Sequence, residues 1–194
     1  DGCSARCRRE THQWSRLPLT TAPPPRVGHA QTFDRQRGVL VVYGGQDPAS
    51  GQNLGDTWEL DGERWRETTP AGGGGPGPRS AAALAYDERR QVVVLFGGIG
   101  VGVDRLDDTW EYDGDAWVLV DTLHRPAPQS VPGMVSDGTQ LLLFPTQSSV
   151  LGDPPTLWAY DGNDWAPRTH APGPPLDGFS TDLVFDRVRE VIVL

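Results

Sequence analysis

Short apolar runs alternate along this chain with polar segments that are rich in glycine and proline. Residues 39–43 and 92–96 are almost continuously apolar and rich in β-branched side chains, which is typical of strands buried on both faces. Residues 141–144 form a third run of this kind. No stretch shows a convincing apolar period of 3.6 residues, so the pattern predicts an all-β protein without substantial helix.

The apolar runs belong to a segment that recurs about every 50 residues, a period typical of repeat architectures. All seven tryptophans fall on this repeat, in two series: Trp58, Trp110 and Trp158, and Trp14, Trp65, Trp117 and Trp165. Each repeat predicts four strands. The first strands are predicted at 29–33 and 81–86, the third at 57–60, 109–112 and 157–160, and the fourth from Trp65, Trp117 and Trp165.

Turn residues separate the predicted strands. Residues 34–38 form a tight turn between the first and second strands, and Asp61-Gly62 is a hairpin signal between the third and fourth strands. Two Gly-Gly pairs, at 44–45 and 97–98, are expected to end the second strands. Glycine at these places allows a positive φ and the close approach of a neighbouring backbone.

The copies differ in how closely they match the repeat pattern. In the third copy, Pro145-Thr146 stands where the others have Gly-Gly, and Thr156 replaces an aspartate. The fourth copy shows only its first half, and Asp1-Gly2 resembles the turn of an earlier copy. We therefore expect part of a longer chain, with units at 1–25, 26–70, 79–121, 130–169 and 178–194.

A four-stranded repeat with Gly-Gly after its second strand, then a tryptophan, then another tryptophan about seven residues later, resembles the kelch repeat. The resemblance covers residues 26–194 and Trp14, and it implies a β-propeller with one repeat per blade. On this basis the chain holds three complete blades and two partial ones, about half of a propeller of six or seven blades. The Asp-Thr-Trp-Glu form looks most like bacterial kelch-type proteins, which are often grouped with the galactose-oxidase propeller.

Composition narrows the choice of partner and compartment. The net charge is −9 and the basic residues are spread along the chain, which argues against a nucleic-acid surface. The apolar runs are far too short to cross a bilayer, so no membrane insertion is expected in this segment. Cys3 and Cys7 could form a disulfide, remain free thiols or, with His12, contribute to a metal site. The cysteine pair and the acidic composition favour a secreted or cell-surface location.

Antiparallel strand order predicts where binding would occur. The turns between strands one and two and between strands three and four lie on one face and are short. The opposite face, called here the long-connection face, carries the longer connections, and variable loops on a rigid scaffold commonly bind partners. These connections are residues 46–55, 70–78, 99–107, 121–129 and 147–155.

The kelch resemblance implies that Arg26, Arg79 and Ser130, which precede successive first strands, face the mouth of the central channel and contact ligand. A forked guanidinium could hold a carboxylate or an acidic peptide. The alternative is that each arginine caps loop carbonyls or pairs with a neighbouring acid. Asp56 and Asp108 are interpreted as hydrogen-bonding groups at hairpins or strand ends.

Three functions remain open at this point. We expect a non-catalytic interaction domain that binds a protein or glycan partner, with no cofactor, metal site or catalytic residue. The second possibility is a carbohydrate- or alcohol-acting oxidase of the galactose-oxidase type. Its copper ligands are not visible in this segment, because the tyrosines occupy repeat positions typical of a core, so its active site is expected in the missing blades. A purely structural repeat domain is the third possibility. The tyrosines are Tyr43, Tyr86, Tyr112 and Tyr160.

Overall fold

Three antiparallel four-stranded sheets follow one another along the chain in the computed structural model. The structure describes residue 19 and residues 21–70, 74–130, 132–144, 156–168, 183–186, 188–189 and 191–193. Cys3, Cys7 and the connection at 147–155 therefore lie outside the described residues, and so does most of the unit at 1–25.

Strand order within each sheet is sequential, and each sheet corresponds to one blade. The first blade contains β1 (Ala30–Asp34), β2 (Val39–Gln46), β3 (Asn53–Leu60) and β4 (Trp65–Glu67). The second contains β5 (Ala83–Asp87), β6 (Val92–Ile99), β7 (Arg105–Tyr112) and β8 (Trp117–Val120), with a 3₁₀ turn at Val101–Val103. The third contains β9 (Gly133–Ser136), β10 (Leu141–Phe144), β11 (Leu157–Tyr160) and β12 (Trp165–Arg168). A two-stranded hairpin follows, made of β13 (Val184–Asp186) and β14 (Val191–Val193).

The first strands of successive units contact one another: β1 contacts β5, β5 contacts β9, and β9 contacts β13. The first strands are thus innermost and the fourth strands lie at the outer edge, as in the blades of a propeller. This arrangement confirms the predicted all-β fold of four-stranded antiparallel blades. Within the described part of the chain, no helix has the length and apolar character needed to span a membrane.

The Gly-Gly pairs do not end the second strands, which corrects the sequence prediction. In the first blade, β2 continues through Gly44 and Gly45 to Gln46, with a register shift between Tyr43 and Gly45. Both glycines have positive φ, and the Gly45 amide donates to the Arg79 carbonyl at 2.9 Å. A side chain on Gly44 would collide with that carbonyl oxygen. The glycines therefore form a bulge that brings the next blade's backbone close.

Apolar side chains fill the spaces between neighbouring blades. We call the side of a blade that packs against the next blade its following face. Between the first two blades, Tyr43 and Trp117 meet edge to face with ring centroids 5.1 Å apart. Between the second and third, Phe96 and Trp165 repeat this contact at 5.2 Å. The four tyrosines are buried, which confirms that they are core residues.

Candidate binding face

Two long connections lie side by side on the long-connection face. Residues 47–52 join β2 to β3, and residues 100–104 join β6 to β7. The Asn53 side-chain amide, at the start of β3, donates to the carbonyls of Ile99 and Gly100, both at 2.9 Å. The two blades therefore present one continuous surface, from which the tip residue Val101 projects with 75% of its surface exposed.

Arg26 lies beneath this surface at the base of the first connection. Its guanidinium makes two hydrogen bonds of 2.8 Å to the Asp56 carboxylate. It also donates to the Gly44 carbonyl at 2.9 Å and to the Pro24 carbonyl at 3.1 Å. Because only 5% of the Arg26 side chain is exposed, its donors are used within the domain.

Arg79 occupies the equivalent place in the second blade. Its guanidinium binds both oxygens of Asp108, at 2.6 and 2.8 Å, and donates to the carbonyls of Gly97 and Pro76. The Arg79 side chain is 3% exposed. Its backbone amide also donates to the Leu54 carbonyl of the first blade at 3.0 Å. Arg79 thus ties the second connection to its own blade and to the preceding one.

Asp56 and Asp108 do more than the sequence interpretation assigned to them. Each accepts a hydrogen bond from the indole of the tryptophan two residues later, Trp58 at 2.6 Å and Trp110 at 2.7 Å. Burial alone would raise the pKa of the Asp108 carboxyl. Hydrogen bonds from Arg79 and Trp110 and the Arg79 charge nevertheless hold this pKa below its ordinary value. The carboxylate is therefore kept ionised, which suits a structural ion pair better than proton transfer.

Gln129 and Thr156 stand where the third blade would carry the arginine and the aspartate. The Gln129 carbonyl accepts from the Gly98 amide and the Gln129 amide donates to the Leu106 carbonyl, as the Arg79 backbone does with Gly45 and Leu54. The sequence prediction that Ser130 takes this place was therefore wrong by one residue, and the third blade cannot form the ion pair. The observed contacts of Arg26 and Arg79 match the alternative in which each arginine caps loop carbonyls and pairs with an acid. Ligand contact by Arg26, Arg79 and Ser130 stays a prediction.

A second set of arginines lies on the opposite, short-turn face and was missed in the sequence analysis. Arg37 binds Asp34 of its own turn and Glu59 of β3, and its guanidinium lies 5.4 Å from the centre of the Tyr112 ring in the next blade. We use the name clasp for the group formed by Arg37, Asp34, Glu59 and the Tyr112 ring, and for the equivalent group in the second blade. The spacing Asp-x-x-Arg in both turns was an available signal.

The second clasp repeats the first contact by contact. Arg90 binds Asp87 and Glu111, and its guanidinium lies 5.1 Å from the centre of the Tyr160 ring. The Tyr160 hydroxyl donates to Glu111 at 2.7 Å. Across the described residues, no group of three or more His, Cys, Asp or Glu side chains is placed to hold a metal ion.

Comparison with known proteins agrees with this geometry. Residues 6–168 match the family described as the KLHDC2/KLHL20/DRC7 Kelch-repeats domain. Because the match covers most of the chain, the chain belongs to this family of kelch-repeat domains. The resemblance noted from the repeats is confirmed at the level of the kelch family.

Three relatives illustrate the range of proteins that carry similar repeats. An F-box/kelch-repeat protein of Arabidopsis thaliana is 39% identical over 98 residues, which is 47% of this chain and 19% of the relative. Dynein regulatory complex subunit 7 of Chlamydomonas reinhardtii is 35% identical over 92 residues, 46% of this chain and 8% of the relative. The flagellar outer-arm dynein alpha chain of the same organism is 33% identical over 132 residues, 63% of this chain and 3% of the relative.

These relatives bear on the predicted source. All three are eukaryotic proteins, so the bacterial origin and the galactose-oxidase grouping receive no support from them. The chain spans less than a fifth of the length of each relative, 19% at most. What the whole relatives do is therefore not transferred to this chain by the match alone.

Proposed function

We propose that this chain is a protein-interaction domain that binds a protein partner through the long-connection face. The observation that carries the proposal is the joint anchoring of two long connections. The Asn53 side chain joins the second connection to the first blade. The ion pairs Arg26–Asp56 and Arg79–Asp108 hold the bases of the two connections. Exposed loop tips on rigid bases are the arrangement in which recognition loops bind with little ordering cost.

The relatives support a protein rather than a glycan partner. Two of them are, by name, a subunit of a dynein regulatory complex and a chain of a flagellar outer-arm dynein. Both names describe proteins that work within assemblies. A glycan partner and an extracellular or cell-surface location remain predictions from the sequence.

In this proposal Arg26 and Arg79 act by positioning the connections. Direct contact of Arg26, Arg79 or Ser130 with a partner's carboxylate is the alternative version. Replacing both arginines by alanine lowers stability in either version, because Asp56 and Asp108 lose their partners. Binding that weakens in step with the free energy of unfolding favours positioning, and a loss of binding well beyond it favours direct contact.

The proposal is tested in the full-length protein by replacing residues 48–52 and 101–104 with Gly-Ser segments of equal length. Residues 63–64 and 115–116, in turns on the opposite face, are replaced in the control variant. Proximity labelling in cells identifies partners, and titration of the purified partner measures the affinity. We expect at least a tenfold loss of affinity for the long-connection variant and an unchanged affinity for the control. Loss in the control alone would place the binding surface on the short-turn face and overturn the proposal.

A further inference from the structure

The first blade holds the second through polar contacts on its following face. The Thr57 hydroxyl accepts a hydrogen bond from the Trp117 indole at 2.9 Å, inside the buried core. The Tyr112 hydroxyl lies 3.2 Å from Glu59 Oε1, and Arg37 covers the Tyr112 ring. These contacts are directional, so they restrict how the second blade can move relative to the first.

The second blade holds the third in the same way. Thr109 accepts from the Trp165 indole at 2.9 Å, and Glu111 accepts from the Tyr160 hydroxyl. Trp165 and Tyr160 are both almost completely buried by this packing. The two seams therefore combine an apolar core with the same set of polar anchors.

The third blade lacks these anchors by its chemistry. Leu142 pairs with Ala159 as Val41 pairs with Glu59, so Ala159 takes the place of the glutamate and Leu157 that of the threonine. Neither side chain has a hydrogen-bond donor or acceptor.

The turn that carries the arginine is also shorter in the third blade. Residues 35–38 separate the paired Asp34 and Val39, whereas only 138–139 separate Asp137 and Gln140, whose backbones are hydrogen-bonded. The third turn therefore has no position equivalent to Arg37. The clasp is missing because two residues of the turn are missing and because Ala159 replaces the glutamate.

The face left by these changes packs against the next unit through apolar contacts. Leu142, Leu157 and Ala159 form a buried cluster that Ile192 of β14 joins. Apolar contact is not directional, so it restricts relative movement less than the hydrogen bonds of the other two seams.

We propose that the seam between the third blade and the β13–β14 hairpin is a built-in opening point of the domain. It separates locally while the two anchored seams stay closed. Local opening free energies vary widely within one structure, and units with fewer anchoring contacts open first.

Two alanines that are almost equally buried in the closed domain allow a direct comparison of the two seams. Ala159, on the following face of the third blade, is 4% exposed, and Ala83, on that of the second blade, is 3% exposed. We would compare Ala159→Cys and Ala83→Cys in the full-length protein by native N-ethylmaleimide labelling and peptide mass spectrometry. We expect labelling at 159 to be at least ten times faster than at 83. Equal rates would overturn the opening point.

A second pair keeps the test available where an alanine variant fails to fold. Leu157 on the opening face and Leu84 in the first seam are 8% and 7% exposed. Leu157→Cys should again label at least ten times faster than Leu84→Cys. Circular dichroism before labelling establishes that the variants compared are folded.

The physical cause is tested separately. Adding Arg90→Gln and Glu111→Ala to Ala83→Cys removes the clasp from the second seam and leaves the Thr109–Trp165 hydrogen bond. Labelling at 83 should then rise at least fivefold, whereas Arg64→Gln with Glu63→Ala, in an exposed turn of the first blade, should leave it unchanged. No rise in the clasp variant would show that the anchors do not control opening and would overturn the explanation.

Discussion

The first two blades and the third share strand order and ladder register, but they differ in the polar side chains that link elements. Both anchored blades carry an arginine–aspartate pair beneath the long connections and a clasp on the opposite face. The third blade has Gln129 and Thr156 in place of the pair, and Ala159 with a shortened turn in place of the clasp.

The difference shows that these side chains change in sets. A buried arginine left without its carboxylate, or a carboxylate without its arginine, is an uncompensated charge that destabilises strongly. Loss of both partners removes that penalty. The apolar pattern of the strands is kept in all three blades, because it alone suffices to bury the sheet faces.

The largest effect is expected from splitting one ion pair. Arg79→Gln should lower the free energy of unfolding by about 3 kcal/mol, since Asp108 would remain partly buried without its cationic partner. Arg79→Gln with Asp108→Thr copies the third blade and should cost less than the sum of the single changes by about 1–3 kcal/mol. Urea denaturation measures all three variants. Additive effects would contradict the idea that the pair is lost as a unit.

Alkaline pH should weaken the anchored seams. Burial, opposed by the hydrogen bond with Thr68, raises the pKa of Tyr112 to about 12. A raised pKa in the folded state means that the neutral hydroxyl is favoured there, so its contribution is complete below pH 10 and is lost between about pH 10 and 12. Two pKa units correspond to a loss of about 2.7 kcal/mol. Absorbance at 295 nm during titration reports the tyrosinate, and a midpoint near 10 for every tyrosine in the folded protein would contradict this.

Removing one buried acceptor should have a smaller effect. Thr57→Val keeps the shape of the side chain but leaves the Trp117 indole without its partner, at a cost of about 2 kcal/mol. Thr57→Ser keeps the hydroxyl and loses one methyl group, about 0.8 kcal/mol. Thermal and urea unfolding of both variants give the difference. If serine were as destabilising as valine, the hydrogen bond would not be the anchor.

The clasp should contribute less because it is partly exposed. Glu111→Ala removes one partner of Arg90 and the acceptor of the Tyr160 hydroxyl, and we expect a loss of about 1.5 kcal/mol. Burial and, after it, Glu111 raise the pKa of Tyr160. The same substitution should therefore move the pKa of Tyr160 towards its ordinary value. A stability change without any tyrosine shift would place the effect of Glu111 elsewhere.

The smallest effect is expected at the exposed ion pair between Arg35 and Glu88, which also joins the first two blades. Exposed pairs are screened by water and lose side-chain entropy, so Arg35→Ala should change stability by less than about 0.5 kcal/mol. This substitution is the control for the buried anchors. A loss as large as that of Glu111→Ala would mean that position between blades, rather than burial, determines the contribution.

The amino-acid sequence by itself determined the repeat, the strand type and the pairing order. Continuous apolar runs, Asp-Gly turns and regularly spaced tryptophans are local signals, and they predicted the three four-stranded blades. The strand ends were less predictable. Gly44-Gly45 carries the same local signal for a strand end as for a bulge, and only the carbonyl of Arg79 in the next blade decides between them.

Tertiary structure decided the roles of the charged residues. Arg26 and Asp56 are 30 residues apart, and Arg37 meets a ring of the next blade, so neither contact is visible within a local window. Arginine is usually exposed at the protein surface. Whether it faces a ligand or a buried acid depends on which side chains the fold brings within hydrogen-bond distance. Strand formation is governed by neighbours in sequence, whereas ion-pair formation and burial are governed by neighbours in space.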